Sequence, residues 1–512
     1  MFAKINSFGL LGLNAFSVDA EIEASGVISE MQIVGLADIA VKESKERMTS
    51  AFRTSKLPFP NNRIIINLAP ADTKKSGSLH DLAIATAIMA VMGLVDPKEL
   101  ESSAFVGEVS LSGDIRSIDG VLPMALAAYK KGIKQFYCPY ENAAEASVIE
   151  GLEVIPVKSL IELSLHFCKK EIISPAKRYM PSASQKLYMG LDFADVMGQN
   201  AAKKALEIAA AGSHNVLMIG APGSGKSMLA KRLPTILPDM TFEESIETTN
   251  VHSISGIISR EAPLVTERPF RNPHHTISPA GLAGGGSIPK PGEISIAHNG
   301  VLFLDELAEF DRKTLEILRQ PLEDGTVTIS RASGTCKYPC NVMLIAAMNP
   351  CPCGYYGHPV RECICSPNQV TKYLSKISAP LLDRLDLHVE VAPVEYDKIS
   401  SGIKEESSES IRKRVQKARE IQTERFKGTG VFSNAGITSD ILHKVCPTTD
   451  SANAFLKGMF EKMGLSARAY DRILKVARTV ADLDGREVID KSDISTAVQY
   501  RSLDRKYWSK KR

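Results

Sequence analysis

The chain has 512 residues, 44% hydrophobic and 24% charged, which is too long for one core and has the composition of a globular protein of two to four domains. A net charge of +3 hides an uneven balance: from Ser401 onward 23 Lys+Arg stand against 15 Asp+Glu, and the chain ends RKYWSKKR, a basic end that suits either a polyanion partner or solvated helix faces. No apolar run reaches membrane-spanning length, MFAKINSFGLLGLNAF lacks an h-region and a cleavage site, and nine unevenly spaced cysteines argue against a disulfide framework, so a cytoplasmic chain without membrane contact is expected.

Residues 1–170 read as an α/β domain, with strands near 64–68 and 103–107 and helices near 81–92 and 123–131. KEIISPAKRYMPSASQKL, residues 170–187, mixes charge, Pro and Ser without period, and 171–189 reads as a linker. Residues 190–395 then carry the clearest chemistry. A strand over Val216–Ile219 runs into Gly220-Ala221-Pro222-Gly223-Ser224-Gly225-Lys226-Ser227 and a helix. That is G-x-x-x-x-G-K-S in its strand–loop–helix setting. The glycines let backbone N–H groups wrap ATP phosphates, Lys226 reaches the β/γ oxygens, and Ser227 ligates Mg²⁺. A second strand, Gly300–Leu304, ends in Asp305-Glu306. Asp305 helps to hold Mg²⁺, and Glu306 polarises the attacking water, which implies hydrolysis rather than binding alone. A third strand, 341–348, ends at Asn349, the candidate γ-phosphate sensor.

Directly after Asn349 the sequence reads NPCPCGYYGHPVRECICSP, with two C-x-C pairs, Cys351/Cys353 and Cys363/Cys365. Two short knuckles can close a tetrahedral Cys₄ zinc site that pins a long loop. His358 is a substitute ligand, and Cys336 and Cys340 are near enough in sequence to compete. Four packed or redox-labile thiols are the alternative. Cys138, Cys168 and Cys446 are isolated and read as structural. Two arginines complete the set: Arg384 in LLDRLD, and Arg468 at the head of a helix over 468–485. An arginine donated across a subunit boundary stabilises charge on the γ-phosphate, and Arg384 has the better context. A polar break over 396–410, with KEESSES, separates the ATPase core from a helical C-terminal part, 396–512.

Together these motifs resemble the AAA+ superfamily, in the helix-2-insert branch that holds magnesium-chelatase ATPase subunits and MCM helicases. FRNPHHT and GLAGGG lie where that insert belongs, LEDGTVTISRASGT resembles the hairpin before the sensor strand, and LSARAYDRILKVARTVADLDG resembles the sensor-2 helix. Upstream, IVGLADIAVKESKERMTSAF, NLAPADTKKSGSLHDLAIATAI and GDIRSIDGVLPMALAAYKKG look like the S5-like domain shared by Lon proteases and RadA. Leu79 and Leu122 take the positions of the Lon serine and lysine, so no peptidase dyad is expected. This layout resembles the YifB/ComM family over the whole chain. The resemblance implies an α/β multidomain fold: an S5-like α+β domain, a P-loop α/β sandwich and a helical lid. It also implies a homo-hexameric ATP-driven motor that migrates DNA branches in natural transformation, with single-stranded and branched DNA as partner. A chelatase-type motor that remodels a protein partner is the alternative. In the hairpin, Thr326–Ser330 alternates like a half-buried strand, 331–335 can turn, and Arg331 and Lys337 are the expected DNA phosphate contacts.

Overall fold

The structure, a computed structural model, describes residues 1–26, 30–36, 38–75, 77–180, 190–259, 261–286, 289–331, 334–393 and 405–508. The second half of the expected linker (181–189), residues 394–404 with much of the polar break, Ala332-Ser333 of the hairpin and the final SKKR lie outside the described residues. Two compact units form. The first comprises Met1–Ser184, Ser245–Val265 and Ser330–Tyr338; the second comprises Gln185–Glu244, Thr266–Ile329 and Pro339–Arg512. A linear division of the chain assigns 245–265 and 330–338 to the ATPase core, but both pack within the first unit.

The first unit opens on a long hairpin, β1 (Phe2–Leu11) and β2 (Asn14–Ser25), that the sequence reading did not assign to any element. Its pattern is nevertheless two-residue: Ala3 and Ile5 on β1, and Val18, Ala20 and Ile22 on β2, are buried, with Ile5 opposite Ala20 and Lys4 opposite Glu21. With β3 (Met31–Val34), β4 (Arg63–Ala69), β5 (Ser103–Phe105), β6 (Gln135–Pro139) and β7 (Glu153–Val157), they make a seven-stranded sheet in the order β3-β4-β2-β1-β5-β6-β7. Its longer helices include α1 (Ser44–Thr54), α2 (Asp81–Val91) and α3 (Val121–Lys130). Every residue of α2 is buried. That is why DLAIATAIMAV shows no polar face: a helix apolar on every side belongs inside a core, and its two polar residues are satisfied there, Asp81 by Arg47 and Thr86 by the Leu82 carbonyl.

The second unit is built on α4 (Asn200–Gly212), β8 (Val216–Ile219), α5 (Lys226–Arg232), β9 (Phe270–Arg271), β10 (Val301–Leu304), β13 (Met343–Met348) and β14 (Leu387–Glu390), with the hairpin strands β11 (Thr326–Arg331) and β12 (Gly334–Pro339) between β10 and β13 in the chain and 330–338 of that hairpin counted in the first unit. Five of these strands form a sheet in the order β9-β10-β13-β8-β14, every neighbouring pair parallel. All four residues of β8 and of β10 are fully buried. Such burial contributes about 1.5–3 kcal/mol per large side chain and fixes both strands in the centre. The register places Ile219 beside Met348 and Leu304 beside Ala346. The residues that follow, Gly220, Asp305 and Asn349, therefore emerge together at one carboxyl edge, where ligands bind in open α/β sheets. A helical layer follows, including α6 (Ser408–Arg425) and α7 (Ala467–Leu483). Ser407 and Ser466 cap these helices on Ser410 and Ala469.

A candidate nucleotide site and an adjoining thiol cluster

At the end of β8 the loop turns into α5 through Gly225, at φ +96, a conformation that costs a residue with a Cβ about 1–2 kcal/mol. Lys226 is buried, and its ammonium donates to the carbonyls of Gly220 (2.7 Å) and Ala221 (2.9 Å) and to Asn349 Oδ1 (3.2 Å). Burial lowers its pKa from the ordinary lysine value, and Asp305 and Glu306 oppose that shift. Ser227 Oγ donates to Asp305 Oδ2 at 2.6 Å. These hard oxygens fit Mg²⁺, which prefers carboxylate and hydroxyl ligands alongside substrate phosphates. Gln199, outside every motif, steadies the loop by donating to the Ser224 carbonyl at 3.2 Å.

Glu306 stands at φ +52, a left-handed backbone uncommon for a side-chain-bearing residue and concentrated at functional sites. Its N–H donates to Asp305 Oδ1 at 3.0 Å. His275 Nδ1 lies 3.5 Å from Glu306 Oε2, and the His275 ring lies 4.1 Å from that of His274. The sequence pointed to NPHHT as part of an insert and gave His275 no role. Only the parallel pairing of β9 with β10 brings the end of that motif to the acid pair.

Arg384 is placed elsewhere. It donates to the carbonyls of Arg319 (2.8 Å) and Pro380 (2.7 Å) and pairs with Glu323; none of these belongs to the phosphate loop or the acid pair. Arg468 Nη2 lies 3.9 Å from the other oxygen of Glu323. Both arginines line one cavity of about 680 Å³, together with Arg472, Lys475 and Asp386. The helix expected over 468–485 begins one residue earlier and ends at Leu483. Glu323, which holds both guanidinium groups, was not legible in the sequence. In the cavity wall, Asp386 accepts from the Asn215 N–H at 3.0 Å and faces His214 and Arg472. Burial raises the Asp386 pKa, but His214, Arg472 and the Asn215 N–H outweigh it and hold the carboxylate far below its ordinary range.

The four thiols of the opening knuckles converge. Cys351, Cys353, Cys363 and Cys365 place their sulfurs within 4.8 Å of one another, with separations of 3.4, 3.7 and 3.6 Å among the first three. A tetrahedral zinc site with Zn–S of about 2.3 Å spaces its sulfurs by about 3.8 Å, so the donor set fits zinc. Burial works against ionisation of Cys353, but the N–H groups of Tyr355 and Ile364 and the neighbouring thiols draw it down to about 6. Burial and the adjacent sulfurs push Cys363 up to about 12. The cluster thus favours partial ionisation, and a cation is what would let all four act as thiolates. The other candidate ligands are placed differently. His358 Nδ1 accepts from the N–H groups of Val360 (3.1 Å) and Arg361 (2.9 Å). Cys336 and Cys340 are buried outside the cluster. Cys138 and Cys446 are buried as expected of structural thiols, whereas Cys168 is exposed.

The hairpin forms with the expected alternation, Val327 and Ile329 buried and Thr328 and Ser330 exposed. Arg331 and Thr335, expected in the turn, lie in the strands β11 and β12. Arg331 and Lys337 are both exposed, while Cys336 and Tyr338 face inward. A Cβ added at Gly12 would lie 3.0 Å from that of Cys336, so this part of β12 packs at the turn of the first hairpin.

Comparison with known proteins agrees with this architecture. The family described as magnesium chelatase, subunit ChlI, matches residues 192–399; subunit ChlI of Mg-chelatase matches 20–142, and the ChlI C-terminal family 405–501. The competence protein ComM of Haemophilus influenzae is 41% identical over 509 residues, covering 98% of each chain. The YifB protein of Escherichia coli is 39% identical over 504 residues, covering 98% of this chain and 97% of its own. An MCM-type protein of Methanocaldococcus jannaschii is 26% identical over 226 residues, 44% of this chain and 25% of its own.

Proposed function

This chain belongs to the ComM/YifB family of magnesium-chelatase-like proteins, and on that premise we propose that it is an ATP-hydrolysing, ring-forming DNA motor that migrates branches to promote integration of incoming DNA in natural transformation and recombination. One observation carries the ATPase reading: the Lys226 ammonium is held between its own loop and Asn349, with the next residue, Ser227, bonded to Asp305. In this reading the loop 220–227 cradles the phosphates, Ser227 and Asp305 hold the Mg²⁺ that enters with ATP and neutralises phosphate charge, Glu306 orients the attacking water, and Asn349 senses the γ-phosphate. Arg384 and Arg468, held together on Glu323 rather than at this chain's own loop, supply the missing positive charge to a neighbouring copy, which makes a homo-hexameric ring the working form. Zinc on Cys351, Cys353, Cys363 and Cys365 is the structural metal.

The DNA assignment draws on the competence name of a full-length relative, on the basic C-terminal part and on the exposed Arg331 and Lys337. Its test compares ATP hydrolysis with and without single-stranded DNA, beside strand exchange on a labelled four-way junction. The expected result is stimulation by DNA and junction migration that requires ATP. Arg331→Ala is expected to keep basal hydrolysis, to weaken DNA binding equally across sequences, to flatten its salt dependence and to stop migration. Normal migration by Arg331→Ala removes this hairpin from the track. A second reading, a motor that remodels a protein partner, rests on the chelatase families matched along the chain, and hydrolysis indifferent to every DNA form would favour it.

A further inference from the structure

We propose that the Cys₄ cluster is a metal-set prop for the phosphate loop: a soft divalent cation on Cys351, Cys353, Cys363 and Cys365 fixes the loop geometry that binds nucleotide, so metal occupancy controls nucleotide affinity. This rests on the zinc and ATP readings above and adds what the metal is for. The first observation is a contact. Gly354, one residue past the first knuckle, has φ +85, and a Cβ there would lie 2.4 and 2.6 Å from Cδ and Cγ of Pro222. The knuckle backbone therefore bears directly on the middle of the phosphate loop, closer than any side chain would allow. The second observation is covalent. Cys351 lies two residues beyond Asn349, the residue whose Oδ1 receives the Lys226 ammonium. Two independent links thus run from the thiols to the loop, one through Pro222 and one through Asn349.

On its other side the knuckle is backed by the end of the sheet. The Tyr356 ring lies 6.4 Å from that of Tyr507, and the Tyr507 hydroxyl donates to Glu390 at 3.1 Å. Glu390 in turn stands opposite Ile219, the last residue before the loop. The segment between the knuckles forms neither helix nor strand. Ordering such a segment costs backbone entropy at every residue, and the metal–thiolate bonds are what offset it. Without metal the clasp loses its closing bonds, Gly354 is no longer held against Pro222, and the binding-competent loop becomes a smaller fraction of the population, so apparent affinity falls by that fraction. Linkage requires the reverse as well: bound nucleotide tightens the metal.

The test uses the full chain, purified with its metal. Metal content is measured, zinc is stripped with a mercurial and a chelator, the thiols are regenerated, and binding of a fluorescent ATP analogue is titrated before and after zinc is restored. One zinc per chain is expected, with nucleotide bound at least tenfold more weakly by stripped protein and regained on adding zinc. Gly354→Ala is expected to retain its zinc and still bind nucleotide several-fold more weakly, because its Cβ displaces Pro222; this separates coupling from general unfolding. Loaded and stripped protein with equal affinity overturns the prop, as does Gly354→Ala with full zinc and unchanged affinity. Protein that never holds metal overturns the zinc reading and the prop together, whereas loaded protein that binds no nucleotide overturns the ATP reading.

Discussion

Replacing Arg384 with alanine tests the ring at the level of one interface. In the single chain Arg384 makes two hydrogen bonds to carbonyls and one ion pair with Glu323, its own side chain 11% exposed and Glu323 54% exposed. A charged donor to a buried carbonyl contributes about 1.5–3 kcal/mol, and the half-exposed pair less than about 1 kcal/mol after screening. Arg384→Ala should therefore lower Tm by several degrees while leaving nucleotide affinity near wild type. Its rate effect is of another order: loss of a trans arginine costs about 10³–10⁵ in turnover in related phosphoryl transfer. Lys226→Ala should be inactive for a different reason, the loss of its own phosphate-loop cation, so the two variants should complement. In rings assembled from equal parts, about one interface in four joins an intact loop to an intact arginine, and turnover should recover to about a quarter of wild type if interfaces act independently. The assay is phosphate release across a series of mixing ratios after co-refolding, with melting curves for each parent. Mixtures that never exceed the weighted mean of their parents would refute the trans placement of Arg384.

Lys226→Ala should abolish nucleotide binding, because it removes the ammonium that joins the loop to Asn349, whereas Glu306→Gln should bind ATP normally and hydrolyse it at least about 10²-fold more slowly; near-normal turnover by Glu306→Gln removes its catalytic assignment. His275→Ala should lower kcat about tenfold with KM unchanged, and His275→Asn should recover part of the loss, as befits a residue that orients Glu306 rather than one that binds substrate; an effect on KM alone would contradict this. Asp386 has a folded pKa below its ordinary value of 3.8, so its contribution is complete above that value and is lost as pH falls toward the folded pKa. Acid unfolding monitored by circular dichroism should accordingly steepen below about pH 4, and Asp386→Asn should flatten that limb while costing about 3 kcal/mol at neutral pH. An acid limb identical in the variant would show that another group governs it.

The chemistry of the nucleotide site was legible wherever it is carried by residues adjacent in sequence. Gly220–Ser227, Asp305-Glu306 and Asn349 each follow an apolar strand, and a strand of four buried residues places its successor at the sheet edge whatever the rest of the chain does. The thiol cluster was legible for the same reason, because two C-x-C knuckles bring their own ligands close together. The first hairpin was missed because its apolar alternation was judged only as a possible targeting segment, although Ala3, Ile5, Val18, Ala20 and Ile22 mark its inner face.

Contacts between distant segments belong to the tertiary structure. Glu323 on two arginines, His275 beside Glu306, Gln199 on Ser224, and Gly354 against Pro222 each join segments with no shared periodicity. The strand order β9-β10-β13-β8-β14 decides which loops meet, and that order is set by packing and crossover connections rather than by local propensity. The sequence by itself determined the strand–loop–helix of Gly220–Ser227, the acid pair Asp305-Glu306 and the grouping of the four thiols, because local pattern and strand burial suffice to specify them, and its resemblance to a known family supplied the fold class. Only the tertiary structure decided that both arginines leave their own loop and gather on Glu323, and that the thiol knuckle bears on the phosphate loop, because those contacts depend on side chains that share no neighbours until the sheet is assembled.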